Sequence, residues 1–218
     1  MAYKHGVYTS EVPTSVVPAV NTTAGLPVVF GTAPVHLASE RAQSNKPILC
    51  YSYAEAVQQL GYSKDWAKYT LCEVMYSQFA LYNRGPVVFV NVLDPKTHKK
   101  STSSKNVTVT NKVAKVDAPV LLDTLQIKAS TAGSALIDGS DYEAAYDDDG
   151  VLVITLLDDG TATVASNLTL TYDEIDAAAV DADDIIGGIN VSDGSVKGLE
   201  CLNKVFPITG LVPGIVLA

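Results

Sequence analysis

The residues of this sequence that are able to do chemistry are concentrated in one acidic segment. Between Asp138 and Asp184 there are fourteen Asp or Glu residues and no Lys or Arg. Within it, Asp147-Asp148-Asp149-Gly150 offers the carboxylate oxygens that Ca²⁺ prefers, but the D-x-[DN]-x-[DN]-G spacing and the distant Glu of an EF-hand loop are absent. The run is more typical of a hairpin tip on a solvated outer surface whose charges repel one another.

Two carbohydrate-related functions are kept as alternatives for this segment. Paired carboxylates hydrolyse glycosidic bonds when burial raises the pKa of one of them, whereas these carboxylates stand mainly at turns. A surface- or carbohydrate-binding β-domain would need clustered, exposed aromatic rings. The segment offers only Tyr142, Tyr146 and Tyr172. Neither alternative is favoured.

No other motif indicates an active site or a cofactor. Phosphate-binding GxxxxGK[ST], dinucleotide-binding GxGxxG, HExxH and paired CxxC motifs are absent. The three histidines lie far apart, without a second His or Cys at ligand spacing, and the three cysteines stand among apolar residues, as small buried hydrophobes do in a reducing compartment. The residues concerned are His5, His36 and His98, and Cys50, Cys72 and Cys201. We therefore predict that the chain is not an enzyme and has no catalytic, cofactor-binding or metal-binding residues.

The composition indicates an ordered protein and argues against several classes of partner. The net charge of −9 and the pI near 4.7 argue against nucleic acid, because phosphate backbones are bound by clustered Lys and Arg. One short basic run, residues 96–100, is interpreted as a solvated linker. The amino terminus lacks an apolar signal core, and no stretch approaches the roughly 20 apolar residues that span a bilayer. We expect a cytoplasmic protein without membrane insertion.

From Leu26 to about Asp94 the pattern alternates between strand and helix. Apolar runs bounded by Pro or Gly predict buried strands at 27–31, 47–51 and 86–94. Ser52 is expected to cap a short helix that Gly61 closes. A second helix is predicted over about 68–83, with an apolar face made of Leu71, Val74, Met75, Phe79 and Tyr82. This order of elements predicts an α/β layer with a largely covered sheet.

From Thr97 to about Asp184 short strand-like runs replace this alternation. They read VTVTNKVAKV, TLQIKAS, VLVITLL and ATVASNLTLTY. Turn signals separate them at Ala132-Gly133, Asp138-Gly139, Asp149-Gly150 and Asp159-Gly160. We predict a small all-β domain.

The α/β pattern then resumes, which makes the β segment an insertion. A helix is expected at about 195–206, with Val196, Leu199, Leu202, Val205 and Phe206 on one face. The last stretch, ITGLVPGIVLA at 208–218, is predicted to be an apolar strand that needs neighbours from another chain or from missing sequence.

The first residues, YKHGVYTSEVPTSVVPAV at 3–20, are rich in β-branched side chains. Pro13 and Pro18 each remove a ladder donor, so the segment is either an edge strand on its own domain or an arm that adds a strand to a neighbouring subunit. The residues alone do not decide between these two interpretations.

Several of these stretches resemble contractile phage tail sheath proteins. HGVYTSEVP, followed by Thr22-Thr23-Ala24-Gly25 and PVVFGTAPVH, is similar to the family's amino-terminal arm, small-residue segment and buried strand ending in G-x-A. GLECLNKVFPITGLVPGIVLA resembles the helix and strand that lead to the family's A-P-G turn. The likeness covers about residues 4–94 and 186–218, and the middle segment corresponds to the family's variable insertion.

The resemblance implies an α+β fold in which an incomplete α/β sheath core is interrupted by an inserted small all-β domain and preceded by an extended N-terminal arm. The expected boundaries are 1–22 for the arm, 23–95 for the first part of the core, 96–185 for the acidic β domain and 186–218 for the resumed, truncated core. Truncation, proteolysis or a split gene would each explain the missing remainder. The arm residues expected at the interface between subunits are Gly6, Val7, Tyr8, Glu11, Val12, Val16 and Val17.

The resemblance also implies a function and a set of partners. Sheath subunits form a homo-oligomer of stacked hexameric rings around an inner tail tube protein, and contraction drives the tube through a target cell envelope. Baseplate and tail terminator proteins are further expected partners, with no nucleic acid, no cofactor and no direct membrane insertion. The expected location is a virion tail or phage-tail-like particle assembled in the host bacterial cytoplasm, with residues 138–184 on the outside of the tube.

Overall fold

The first part of the chain forms the centre of a mixed sheet. A computed structural model describes residues 25–130 and 133–218. In it, strands β1 (Pro27–Gly31), β2 (Ile48–Cys50) and β3 (Val87–Asn91) confirm the three predicted strands. Every residue of β3 is buried, as the apolar run of its first four residues predicts, and the buried polar residue Asn91 ends the strand. Burying side chains of this kind contributes roughly 1.5–3 kcal/mol each, so these strands anchor the fold.

Helix α1 (Tyr53–Leu60) begins and ends where the sequence predicts. Ser52 Oγ accepts a hydrogen bond from the backbone N–H of Glu55 at 3.3 Å. Gly61 ends the helix with a φ of 73°, a conformation that favours glycine. Both termini are therefore determined by the local residues that the sequence reveals.

Helix α2 (Thr70–Met75) is shorter than predicted and continues as a π-helix, Tyr76–Leu81. It begins at Thr70 because Thr32 Oγ1, on the segment after β1, accepts the Thr70 N–H at 3.2 Å. Most of the predicted apolar face is confirmed, but Tyr82 is 68% exposed. The wider π turns shift residues around the helix axis, which explains this error.

Residues 99–175 form a unit of six strands, called the β unit below. They are β4 (Lys99–Thr108), β5 (Val113–Val116), β6 (Gln126–Lys128), β7 (Tyr142–Tyr146), β8 (Leu152–Leu156) and β9 (Asn167–Ile175). Two three-stranded antiparallel sheets, ordered β4-β9-β6 and β5-β8-β7, contribute to one hydrophobic cluster that includes Ile127, Ile154 and Leu170.

Two sequence predictions for this unit were wrong in detail. The run VTVTNKVAKV is not one strand, because Asn111 and Lys112 adopt positive φ values of 53° and 65° and divide it between β4 and β5, which lie in different sheets. Of the Asp-Gly signals, Asp149-Gly150 joins paired strands, β7 and β8, as predicted. Asp138-Gly139 and Asp159-Gly160 form turns that do not connect two paired strands.

The last part of the chain returns to the first sheet. It comprises α3 (Ala182–Ile186), β10 (Gly188–Ile189), β11 (Val196–Lys197), a 3₁₀ helix (Gly198–Lys204), α4 (Val205–Thr209) and β12 (Ile215–Leu217). The helix expected at 195–206 is thus mostly 3₁₀ and begins later, and Phe206 is 57% exposed rather than buried. The strand predicted over 208–218 is limited to β12, because Ile208 and Thr209 complete α4 and Gly210 ends it with a φ of 70°.

The completed sheet has the order β12-β1-β3-β2 and is called the α/β core below, together with its helices. Strands β12, β1 and β3 are parallel, and β2 is antiparallel to β3. One hydrophobic cluster joins the sheet to α1 and α2 and includes Phe89. A second cluster joins it to the 3₁₀ helix and α4 and includes Val88 and Cys201. The fold therefore contains the mixed helices and sheets of the predicted α+β class.

Candidate assembly surface

The predicted interface residues of the arm, Gly6, Val7, Tyr8, Glu11, Val12, Val16 and Val17, lie outside the described residues. The structure does describe the point where the chain leaves this segment. The buried Leu26 uses its carbonyl oxygen to accept the N–H groups of Gly214 at 3.0 Å and Ile215 at 3.2 Å. The described residue Leu26, which follows the predicted arm in sequence, therefore lies directly beside the start of β12.

Strand β12 forms one edge of the sheet. It pairs with β1 through the parallel register Pro27↔Ile215, Val28↔Val216 and Val29↔Leu217. Within residues 25–130 and 133–218, no strand pairs with its other side. Such an edge presents backbone N–H and C=O groups on which another strand can be added.

The edge strand and the helix before it are unusually apolar on the outside. Exposed fractions between 43% and 60% are found for six apolar side chains: Phe206, Ile208, Val212, Ile215, Val216 and Leu217. We call these residues the apolar edge. Contiguous exposed apolar residues of this kind mark surfaces for protein contact.

The structure offers little support for catalytic chemistry in the part of the chain that it describes. No group of three or more His, Cys, Asp or Glu in that part is arranged to hold a metal ion. The three cysteines are buried as predicted, and burial raises the pKa of the Cys50 thiol to about 12 and that of Cys72 to about 11. Protonated thiols are poor nucleophiles and poor metal ligands, so these cysteines serve packing.

The acidic run at the β7–β8 turn is a hairpin tip, as predicted. Asp147 Oδ1 accepts the N–H groups of Asp149 at 3.1 Å and Val151 at 2.9 Å, and Gly150 has a φ of 78°. The tip lies against the α/β core, since a Cβ added at Gly150 would be 3.7 Å from the Leu37 side chain. The run therefore has a turn-forming role and faces a groove between the two units.

One expectation about the acidic segment required correction, and one alternative loses support. Asp141 is not part of a solvated surface, because it is 7% exposed and its carboxylate accepts hydrogen bonds from Ile137 and Thr161. The tyrosines that a carbohydrate-binding site would need are not exposed. Tyr142 and Tyr172 belong to the hydrophobic cluster of the β unit, and Tyr146 packs against it and donates its O–H to the Val120 carbonyl at 2.7 Å.

The linker interpretation of residues 96–100 missed His98. Its side chain is 8% exposed, and its Nε2 lies 3.1 Å from Asp184 Oδ2, 86 residues further along the chain. Nothing in the local sequence marks this pair, because a lone His in a basic run is usually solvated.

No protein-family model matches the chain. A curated protein of Burkholderia phage BcepMu, named Tail sheath protein, is 29% identical to it over 219 residues, which is 99% of this chain and 43% of that protein. The chain is therefore similar to a phage tail sheath protein. The resemblance predicted from the sequence is thereby confirmed, and it concerns the amino-terminal portion of the phage protein.

The relationship to tail sheath proteins supports a structural role in a virion tail. This chain spans less than half the length of the phage protein that it matches. Among the described residues, no helix is both long and apolar enough to cross a membrane.

Proposed function

We propose that this chain is the amino-terminal portion of a contractile tail sheath subunit. The observation that carries the proposal is the position of the apolar edge: it belongs to a strand with one side unpaired among residues 25–130 and 133–218, and that strand contacts Leu26, which follows the predicted arm in sequence. A polymer made of identical subunits needs two complementary surfaces on each of them. A strand-forming arm and an open strand edge are such a pair.

In this proposal the arm, residues 1–22, adds a strand to the sheet of an adjacent subunit. Gly6, Val7, Tyr8, Glu11, Val12, Val16 and Val17 contact that subunit. Main-chain hydrogen bonds supply the affinity, while Pro13 and Pro18 limit indiscriminate pairing of the free arm. The tether persists while subunits move, because strand addition depends on backbone groups and not on one fixed side-chain geometry.

We propose a different role for each of the two structural units. Residues 23–95 and 186–218 belong to an α/β core that makes contacts between subunits. Residues 96–185 are an inserted β domain, of which residues 138–184 lie on the outside of the tube. The two separate hydrophobic clusters of the core and the single cluster of the β unit support this division. Only the core carries the apolar edge.

The assembled state proposed here is a set of stacked hexameric rings around an inner tail tube protein, ending at baseplate and tail terminator proteins. It assembles in the host bacterial cytoplasm and drives the tube through a target envelope when it contracts. The subunit has a structural and not a catalytic function, and it needs no cofactor. The energy of contraction is stored in subunit packing during assembly.

Electron microscopy of the product of the whole reading frame tests this proposal. Striated tubes or rings in negative stain are the expected result. Deleting residues 1–17 should abolish the tubes and leave the thermal unfolding transition of the monomer unchanged. Isolated particles under all conditions would contradict the sheath function, and tubes that survive the deletion would remove the arm from the mechanism.

A charged substitution separates the apolar edge from general surface effects. Val216→Asp places a carboxylate on the 44% exposed edge strand and should prevent polymerisation. Val164→Asp is the matched control, because Val164 is 95% exposed on the β unit, away from the sheet edge. Equal loss of tubes in both variants would argue against the apolar edge as a contact surface.

A further inference from the structure

The chain crosses twice between the α/β core and the β unit, and the two crossings run side by side. The first crossing, residues 94–98, leads from β3 to β4, and the second, residues 176–184, leads from β9 to α3. The carbonyl oxygen of His98 accepts the N–H of Asp176 at 3.0 Å. Pairing of β4 with β9 begins at the next position, Lys99↔Ile175. These two crossings are called the neck below.

Both ring nitrogens of His98 take part in hydrogen bonds at the neck. The backbone N–H of Asp94 donates to Nδ1 at 2.9 Å, so Nδ1 carries no hydrogen in this arrangement. The hydrogen therefore resides on Nε2, which donates to Asp184 Oδ2 at 3.1 Å. One imidazole thus links the end of the first crossing to its beginning and to the far end of the second.

Asp184 is itself held in place by the start of α3. Its Oδ2 also accepts the N–H of Asp181 at 3.1 Å, while Asp181 Oδ1 accepts the N–H groups of Asp183 and Asp184, which completes a capping box. The next residue, Ile185, packs against the hydrophobic cluster beneath the 3₁₀ helix and α4. The carboxylate that receives the His98 hydrogen bond is therefore anchored to the α/β core.

Other contacts across the junction are less directional. The ring of Tyr146 in the β unit meets His36 of the core with centroids 5.4 Å apart, and Leu121 packs into the core cluster. Arg41 and Asp123 approach to 3.8 Å, with 33% and 67% of their side chains exposed. Apolar packing and exposed ion pairs tolerate small rotations, whereas a buried hydrogen bond fixes an orientation.

We propose that His98 and Asp184 form a clasp that holds the neck closed and makes the β unit and the α/β core move as one body. With the clasp closed, neither crossing can change its direction without breaking a partly buried hydrogen bond. With it open, residues 95–97 and 177–183 become a pair of hinges. The proposal concerns the chain by itself and does not depend on the sheath function.

Two isosteric substitutions of His98 distinguish the clasp from simple packing. In His98→Gln the side-chain amide nitrogen can occupy the place of Nε2 and still donate to Asp184, while the acceptor for Asp94 is lost. In His98→Asn the side-chain oxygen can occupy the place of Nδ1 and accept from Asp94, but the side chain is too short to reach Asp184. The clasp therefore survives in the first variant and is absent from the second.

The readouts are amide hydrogen exchange and ¹⁵N relaxation of the whole chain. In His98→Asn, exchange at Asp176 and Asp181 should accelerate roughly tenfold, which corresponds to about 1.4 kcal/mol, and the two units should tumble with different correlation times. In His98→Gln both properties should stay close to those of the unsubstituted chain. Unchanged exchange of the buried β3 amides shows that each variant is folded.

Asp184→Ala provides a second, independent opening of the clasp, since Asp181 can still cap α3 from its own side chain. Exchange at Asp176 should resemble that of His98→Asn, and at this amide the double variant should exchange no faster than either single variant. Asp181 is not used as a readout in this variant, because its N–H loses its own acceptor when Asp184 is truncated. A common correlation time for both units in His98→Asn and Asp184→Ala, with exchange at Asp176 as in the unsubstituted chain, would overturn the proposal.

Discussion

The side chain of Asn45 joins two parts of the α/β core that are 153 residues apart in sequence. Its Oδ1 accepts a hydrogen bond from the backbone N–H of Gly198 at 2.9 Å. Its carbonyl oxygen accepts the Sγ–H of Cys201 at 3.2 Å, and its N–H donates to the Asn91 carbonyl at 2.8 Å. One residue therefore links the end of β3 to the 3₁₀ helix after the β unit, which shows how the interrupted core is reunited.

Substitutions at Asn45 should distinguish the contribution of its side-chain hydrogen bond to stability from the contribution of its backbone conformation. Its φ of 56° is tolerated by Asn and Gly but is strained for Ala. We expect Asn45→Asp to cost less than about 1 kcal/mol because it keeps the acceptor, and Asn45→Gly to cost about 1–2 kcal/mol because the Gly198 N–H loses its partner. Asn45→Ala should cost about 1 kcal/mol more than Asn45→Gly. Urea denaturation measures all three, and equal midpoints for Gly and Asp would contradict the role of the hydrogen bond.

A close approach at Gly31 explains the G-x-A ending of β1. A Cβ added there would overlap with Thr70 Oγ1, and Thr70 Oγ1 accepts the N–H of Thr32 at 3.2 Å. The following Ala33 is fully buried and donates its N–H to Asn91 Oδ1 at 3.1 Å. Strand β1, helix α2 and strand β3 therefore meet at three consecutive small residues.

Gly31→Ala should destabilise the fold by about 1–3 kcal/mol, because Thr70 must rotate away and leave the Thr32 N–H without its acceptor. In a Thr70→Ala background the obstructing atom is absent, so the further cost of Gly31→Ala should be much smaller. Thr70→Ser is the control, since it keeps the oxygen and hence the obstruction. Denaturant unfolding of this double-mutant cycle checks the prediction, and additive costs in the Ala background would show that the crowding lies elsewhere.

The sequence was sufficient to predict those helices and strands that are determined by residues close together in the chain. Strand β3 and helix α1 were predicted because an uninterrupted apolar run, a Ser cap and a closing Gly each act within a few residues. The division of β4 from β5 was missed because Asn111 and Lys112 make the turn without glycine. The polar sequence of β4, KKSTSSKNVT, also shows no alternation, since most of that strand is exposed.

The polar contacts that connect distant parts of the chain were not predictable in the same way. The partner of Asn45 follows it by 153 residues and that of His98 by 86. Each pair depends on how the sheet and the β unit are placed, and one sequence contains no local signal of that placement. The apolar edge was partly predicted, because the apolar run at 208–218 was expected to be a strand that needs neighbours, but the last residues of α4, Ile208 and Thr209, were mistaken for strand.

Asp141 should make the β unit sensitive to acid. Hydrogen bonds from the N–H of Ile137 and from the N–H and O–H of Thr161, at 2.7–2.8 Å, hold the pKa of this carboxyl below its usual value. The unfolded chain then binds the proton more readily than the folded chain. The stabilisation is present above the ordinary pKa, near 3.9, and is lost as the pH falls below it.

Asp141→Asn should therefore lower the melting temperature at pH 7 and flatten the decline of stability below about pH 4. Asp148→Asn is the control, because Asp148 is exposed at the β7–β8 tip and should leave both properties unchanged. Thermal unfolding monitored by circular dichroism between pH 2.5 and pH 7 provides the comparison. An equally steep loss of stability at low pH in Asp141→Asn and in the unsubstituted chain would show that Asp141 does not cause the acid sensitivity.

His36 should produce a second pH dependence at milder acidity. Burial against Tyr69 and Tyr146, and secondarily the positive charge of Arg41, lower its pKa from 6.5 to about 4. Between these pH values the unfolded chain binds a proton that the folded chain does not. Stability should therefore decrease as the pH falls from about 6.5 to about 4, by up to roughly 3 kcal/mol, since each pKa unit corresponds to about 1.4 kcal/mol.

His36→Phe removes this titration while keeping an aromatic ring between the two tyrosines. It also removes the buried Nδ1, which has no hydrogen-bond partner among the described residues, so the variant should be at least as stable as the unsubstituted chain at pH 7. Because every other titrating group is common to both proteins, the difference between their urea unfolding free energies at pH 7 and about pH 4.5 isolates His36. The variant should gain relative stability as the pH falls, and a constant difference would mean that the His36 ring becomes protonated in the folded chain without cost.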